Sequence, residues 1–280
     1  MKVNCNAKVN IGLDVVRRME NGYHELNMIM VPISLYDTLD ISFASEPSFC
    51  SNLPYIPTDE RNSVIKVINR LRDIYHFDDQ FAIHLEKRVP TQAGLGGGSS
   101  DAAMTIKVLN GILNLGMNEE EMIAFAKEIG ADVPFFIKGK PAYVEGIGEK
   151  ITPFSFNCPF YMLLVKPKAG VSTKRAFEEL DFSSLKHPDI SAIQNALMNN
   201  DYEALIQQLG NSLEQTALKI VPEIQKIKEN MLANGFDGAL MSGSGSTVIG
   251  FTRNPGVIRR TSSYYYRRYH FSNCVHIVEM

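Results

Sequence analysis

The sequence predicts an α+β fold. Two hydrophobic periods carry that reading: alternation at Lys2–Val9, Asp37–Phe43 and Gln80–Glu86, and helical stripes at Asn62–Ile74, Asn118–Ile129 and Pro222–Gly235. Strands and helices are interspersed without a regular βαβ repeat, and hairpin-like strand neighbours point away from a doubly wound sheet. At 280 residues the chain is long enough for one large domain or two modest ones. The weakest link is Pro153–Pro159, ahead of the apolar run Phe160–Val165. A boundary near residue 155 follows, giving domains 1–155 and 156–280.

Each element has a local reason. Within 80–86, Phe81, Ile83 and Leu85 share one face of a strand. Val64, Ile65, Val67, Ile68, Leu71 and Ile74 fall on one helical stripe, and Asn62 is placed to cap it. Met122, Phe125, Ala126 and Ile129 form a second stripe behind an Asn118/Glu121 capping box, and Gly130 ends it. Pro222 opens a third helix through Ile224, Ile227 and Met231, which stops at Gly235. Residues 253–280 are expected to form a helix packing its aromatics on a sheet, then a strand at Cys274–Val278.

Composition removes several function classes. The net charge is −3, which is no nucleic-acid footprint over the whole chain. The tail 253–280 is the exception: five arginines against Glu279 give it +4, with Tyr264, Tyr265, Tyr266 and Tyr269 among them. One short patch in a net-acidic chain favours the packed helix over a nucleic-acid surface. Four scattered cysteines hold no C-x-x-C motif, as expected of free thiols in a reducing cytosol. The longest apolar run, Cys158–Val165, is far short of the ~20 residues of a membrane helix. No apolar leader follows Met1, so a cytoplasmic protein is expected, with neither nucleic acid nor membrane as partner.

The strongest local signal is Pro90-Thr91-Gln92-Ala93-Gly94-Leu95-Gly96-Gly97-Gly98-Ser99-Ser100, between the strand 80–86 and a helix beginning near Ala102. A glycine turn that opens a helix offers unpaired backbone N–H groups and a positive dipole end, which suits a nucleotide's phosphates. Ser99 and Ser100 are placed to cap the helix, or to donate to phosphate or to a metal's water shell. The segment fits neither G-x-x-x-x-G-K-[ST] nor G-x-G-x-x-G. Met241–Thr247 is a second small-residue turn between two strand-like segments, without hydrolase-elbow spacing.

Together these motifs resemble the GHMP small-molecule kinases. Pro90–Ser100 resembles their phosphate loop, Met241–Thr247 their C-terminal glycine motif, and Asn6–Leu13 their N-terminal motif. The resemblance implies an N-terminal nucleotide-binding domain, a C-terminal ferredoxin-like α/β domain, and ATP and substrate in the cleft between them. ATP is then the co-substrate and Mg²⁺ is expected with it. No dense carboxylate cluster marks a metal site, and the ion is expected to be held mainly by phosphates and water. Lys8 and Asp132 match the family's catalytic pair. Asp132 can accept the proton of the acceptor hydroxyl or orient that hydroxyl, and Lys8 can offset charge on the transferred group. Read alone, without the motif context, Lys8 is a surface lysine and Asp132 a loop or capping aspartate.

Gly22-Tyr23-His24-Glu25-Leu26, Gly130–Phe136 and Gly146-Ile147-Gly148-Glu149 narrow the resemblance. They are similar to a branch that phosphorylates a small branched polyol carrying a cytidine diphosphate group, in isoprenoid synthesis. Tyr23 is then expected to stack on the base, His24 to read its edge, and Phe177 to close the opposite side. Phe177 is also readable as an apolar helix residue. Asn10 and Gly245 match substrate-binding positions. Asn62 and Lys87 match positions near the adenine, although Lys87 is also readable as a solvated charge. Asp101 suits the first turn of the helix after the loop, and is not read as a metal ligand. His24-Glu25-Leu26-Asn27-Met28 lacks the second histidine of a zinc motif. Mevalonate- or homoserine-type members of the family, and a non-catalytic sensor on the same fold, are the competing readings. The oligomeric state is left at monomer or homodimer.

Overall fold

The computed structural model describes residues 1–280. In chain order the first half runs β1 (Lys2–Arg18), β2 (His24–Ala44), β3 (Ser48–Ser51), α1 (Ser63–Tyr75), β4 (Gln80–Glu86), α2 (Gly97–Ile112), α3 (Glu119–Ile129), α4 (Val133–Lys138), β5 (Ala142–Gly146) and β6 (Lys150–Pro153). The second half runs β7 (Tyr161–Lys166), α5 (Thr173–Glu178), α6 (Ile190–Met198), α7 (Tyr202–Gln208), β8 (Gly210–Asn211), α8 (Glu214–Ile220), α9 (Glu223–Ala233), β9 (Gly238–Met241), β10 (Val248–Thr252), α10 (Pro255–Arg268) and β11 (Phe271–Val275).

The α+β reading holds, with two sheets. The first has the order β3-β4-β2-β1-β8, and β5 and β6 extend it from the lower part of β2. The second, β11-β7-β10-β9, is antiparallel throughout. The chain passes from one to the other between Pro153 and Tyr161. The separation is incomplete, because β8 returns to pair in parallel with Gly12 and Leu13 of β1.

β1 and β2 are far longer than their alternating segments suggested, because both faces of each are covered and the polar positions largely vanish. One face packs on the α1–α2 side and the other on the second sheet. Val9, Ile11, Ile29 and Val31 share a core with Leu164, Ile249 and Phe251, whereas Cys5, Leu13, Met28 and Met30 share one with Ile106 and Leu109 of α2. Residues 5, 7, 9, 11 and 13 therefore change face twice along β1. The register against β2 shifts between Asn6 and Lys8, and again between Asn10 and Gly12. Each shift reverses which residues point inward. The stretch between them turns Lys8 and Asn10 toward the cavity described below.

Two of the N-caps match the local reading. The Asn62 side chain accepts from the Val64 amide, and Asn118 and Glu121 form the reciprocal capping box. Gly130 ends α3 with an extended backbone (φ 178°) rather than a left-handed one. Gly96, in a left-handed conformation, caps α2, so Ser99 and Ser100 lie inside its first turn instead of capping it. In the tail, Tyr265 is fully buried while Tyr264 and Tyr266 are exposed. The last strand is 271–275 rather than 274–278.

Candidate active site

A cavity of about 1050 Å³ lies between the loop before α2, the start of β1, the β1–β2 turn, the start of α4 and α5. That is at the upper end for a single small-molecule site, which runs to roughly 1,000 Å³. Residues 90–99 all line it.

Lys8 stands at its centre. The side chain is 5 % exposed, its ammonium donates to Asn10 Oδ1 at 2.6 Å, and it lies 3.7 Å from Asp132 Oδ2. That last distance exceeds an ordinary hydrogen bond and still lets each charge act on the other. Asp132 is the N-cap residue of α4, yet its carboxylate makes no capping bond and stays half-exposed to the cavity. Pro134 covers that need in part, since it lacks an N–H to satisfy. The Asn10 amide also donates to Met28 Sδ, at 3.4 Å. With both ends engaged and the residue buried, Asn10 fixes the direction of Lys8.

The two glycine turns meet face to face. Ser242 Oγ donates to the Gly94 carbonyl at 3.0 Å, and the Thr247 amide donates to the Ala93 carbonyl at 3.3 Å. Gly94 has φ +72°, and a Cβ there would lie 2.0 Å from the Ser242 carbonyl oxygen. A Cβ on Gly243 would lie 3.3 Å from Lys8 Nζ. Gly96 supplies no capping side chain, so the first amides of the 16-residue helix α2 stay available. The first turn adds the dipole end to them.

At the other end of the cavity the aromatics gather. The His24 ring stacks on Phe177 at 5.0 Å and on Phe182 at 5.9 Å, while Tyr23 beside it is 60 % exposed. Burial, with help from the Arg18 charge, holds the His24 imidazole below its ordinary 6.5. It is therefore neutral at pH 7, with one nitrogen donating and one accepting. A ligand read by both nitrogens should bind equally well from pH 8 down to about pH 6.5, and more weakly below as the ring gains a proton and loses its acceptor. A pH profile of kcat/KM for the acceptor substrate checks this. A break above pH 7 assigned to His24 would contradict it.

Lys8, Asn10, Tyr23, His24, Asp132 and Phe177 all line this cavity, as do Pro90, Thr91, Gln92, Ala93, Gly94, Leu95, Gly96, Gly97, Gly98 and Ser99. Three residues depart from the reading. Asn62 uses its carbonyl on Val64 and its amide on the Pro57 carbonyl, and its neighbours Arg61 and Ser63 line the cavity instead. Ser100 is wholly buried under the loop, with no partner for its hydroxyl. Gly245 lies against Met241, and Gly243 and Ser244 take its place at the wall. Lys87 lines the cavity as well, and is not a solvated charge: its ammonium is buried between Asp37 and Asp101. Sequence reasoning missed Phe182, whose setting, Leu180-Asp181-Phe182-Ser183, has no periodicity to mark it. An isolated aromatic in a polar loop was the one available signal.

Two family models match the chain: the GHMP kinases N-terminal domain over residues 62–140 and the GHMP kinases C-terminal domain over 189–269. A Clostridium acetobutylicum protein named 4-diphosphocytidyl-2-C-methyl-D-erythritol kinase is 40 % identical over 268 residues, 95 % of each chain. The chain belongs to the GHMP kinase family. A crystal structure of 4-(cytidine 5'-diphospho)-2C-methyl-D-erythritol kinase matches this GHMP kinase with a TM-score of 0.83 and 31 % identity, covering 98 % of each chain. A homoserine kinase from Cytophaga hutchinsonii matches with 0.72 and 18 %, covering 98 % of this chain and 95 % of its own. The second likeness reports the shared fold alone.

No group of three or more His, Cys, Asp or Glu side chains in this GHMP kinase could hold a metal ion. The donors at the wall are hard oxygens, the Ser99 hydroxyl and the Asp132 carboxylate among them, which suit Mg²⁺ arriving on a nucleotide with most of its coordination from phosphate and water. No helix of the protein is long and apolar enough to cross a membrane.

Proposed function

We propose that the chain transfers the γ-phosphoryl group of ATP to the 2-hydroxyl of 4-diphosphocytidyl-2-C-methyl-D-erythritol, releasing ADP, in the non-mevalonate isoprenoid pathway of the cytoplasm. Residues 1–155 carry the ATP site and 156–280 complete the cleft. One observation carries the reading: a single cavity joins the Lys8–Asp132 pair to a glycine phosphate cradle at one end and an aromatic, hydrogen-bonding cluster at the other.

The phosphates of ATP rest on the amides of 96–99 at the head of α2. The cytosine stacks on Tyr23 and Phe177, and neutral His24 reads its edge. Base stacking contributes roughly 1–3 kcal/mol per aromatic. The methylerythritol hydroxyl then falls beside Asp132. As its oxygen bonds to the γ-phosphorus, the bond to the β–γ bridging oxygen breaks, and the hydroxyl proton passes to the Asp132 carboxylate. Lys8, aimed by Asn10, offsets charge on the equatorial oxygens. Mg²⁺, when bound, would supply charge neutralisation on the phosphates, and the Ser99 hydroxyl at the head of α2 is one group that would hold it or its water.

An acceptor without a base, such as mevalonate or homoserine, leaves the aromatic end unused. An ADP-coupled assay with the three acceptors tests the choice. Turnover is expected with the cytidyl substrate alone, and turnover with mevalonate or homoserine in its place would reject the reading. Tyr23→Ala should raise KM for the cytidyl substrate by about 5–150-fold, the equivalent of one stacked base, with KM for ATP unchanged. Equal effects on the two KM values would remove Tyr23 from the base site.

A further inference from the structure

Beneath the phosphate loop, at the wall of the cavity, one buried ammonium is shared by two carboxylates. Lys87, at the end of β4, bonds Asp37 of β2 and, at 2.8 Å, Asp101 of α2. All three side chains are less than 5 % exposed. The other oxygen of Asp37 accepts from the Arg88 amide at 2.6 Å and the Val89 amide at 2.8 Å. Arg88 and Val89 lead directly into the phosphate loop, and Asp101 lies directly after it. The two ends of residues 90–100 are thus fastened to a single buried charge. The cluster also touches the loop itself: a Cβ on Gly97 would lie 3.3 Å from Asp37 Oδ2.

The charge count of this cluster is unbalanced. With both carboxylates ionised it holds one cation and two anions, and Asp101 Oδ1 is buried with no partner. An unpaired buried carboxylate oxygen is costly, and a proton on Asp101 relieves both the desolvation and the repulsion from Asp37. The remaining titratable neighbour is Cys5 of β1: burial and the two carboxylates push its thiol up, so it stays neutral, and its S–H beside Asp101 acts as a weak donor that offsets part of the Asp101 rise. Burial raises the Asp101 carboxyl to about 7, with Lys87 opposing the shift and Asp37 adding to it.

We propose that Lys87, Asp37 and Asp101 are positioning residues that clamp both ends of the phosphate loop, and that filling the loop with nucleotide draws a proton onto Asp101. The inference rests on the reading of 90–100 as the ATP phosphate cradle. A triphosphate adds negative charge beside a cluster that already carries an excess anion. The protonated form of Asp101 is then favoured, and protein proton uptake becomes linked to nucleotide binding. The direction is fixed by sign: Asp101 holds more proton in the complex than in the free protein, so this contribution to affinity grows as pH falls through 7.

Calorimetric titration of the full chain with Mg²⁺ and the non-hydrolysable analogue AMPPNP, at pH 7 in buffers of different ionisation enthalpy, reads the proton count directly. Wild type is expected to take up a few tenths of a proton more than Asp101→Asn, with the ligand's own protons common to both. A role confined to packing would leave the two counts equal, and equal counts overturn the proposal. Should Asp101→Asn fail to fold, carbon-13 titration of the Asp101 carboxyl in wild type takes its place. Its midpoint should rise on adding AMPPNP, and an unmoved midpoint overturns the proposal. Absence of any AMPPNP binding to wild type would instead overturn the nucleotide reading beneath it, an outcome distinct from binding without extra proton uptake.

Discussion

Asp132→Asn is expected to lower kcat by about 10²–10⁴-fold, the usual contribution of a positioned general base. Asparagine keeps the shape and one acceptor oxygen but cannot take the proton. Because the Asp132 side chain makes no capping bond in α4, the substitution should leave the melting temperature and the KM values for both ligands close to wild type. Asp132→Ala completes the test. A base predicts that both variants lose activity to a similar degree, whereas a group that only orients the hydroxyl predicts that asparagine retains most of it. Steady-state kinetics of the pair distinguishes them, and a kcat for Asp132→Asn within threefold of wild type would remove Asp132 from the chemistry. Lys8 is a less clean probe. Its loss would leave the buried Asn10 oxygen without its donor, at about 1–3 kcal/mol of stability. The double variant should lose little more rate than Asp132→Asn alone, since the two act as a unit.

Gly94→Ala is expected to cut kcat/KM for ATP by roughly 30–150-fold, the equivalent of about 2–3 kcal/mol of strain at one position. Two costs combine. The residue sits at φ +72°, where alanine is disfavoured by about 1–2 kcal/mol, and its Cβ would meet the Ser242 carbonyl oxygen at 2.0 Å. That oxygen is backbone, so the two glycine turns must separate. The bond from Ser242 Oγ to the Gly94 carbonyl, and with it the contact to the Asn10 amide, should loosen together. Gly111→Ala is the matched control. It lies in α2 with open space around it, and should stabilise the protein by about 0.5–1 kcal/mol with no effect on ATP. Kinetics and thermal melts of both variants check the contrast, and unchanged ATP kinetics in Gly94→Ala would dissociate the loop from the nucleotide.

What was legible in the sequence was local. The Asn62 cap, the Asn118/Glu121 box and the run of glycines before α2 are each written within a few residues, and each stands in the structure. Where several neighbours could serve, the local pattern does not choose between them: Ser99 and Ser100 suit a cap chemically, but Gly96 makes the turn. Long-range features were hidden for a physical reason. The facing of Lys8 and Asn10 depends on two register shifts against β2, and where both faces of a strand are covered such shifts leave no trace in the hydrophobic pattern. The fate of Lys87 was hidden likewise, because its partners lie 50 and 14 residues away on other elements. Tyr23, His24 and Phe177 were legible through resemblance. Phe182 became visible only when the loop after α5 was seen to fold over His24.

The central claim is that one cavity brings the ATP phosphates to the 2-hydroxyl of the cytidyl substrate. Phosphorus-31 spectroscopy of a complete reaction with ATP, Mg²⁺ and 4-diphosphocytidyl-2-C-methyl-D-erythritol tests it most directly. The account predicts stoichiometric ADP together with a new phosphomonoester resonance attached at the tertiary 2-carbon, and the diphosphate signals of the cytidyl group preserved. A phosphomonoester on any other hydroxyl, or ADP appearing with inorganic phosphate alone, would contradict it.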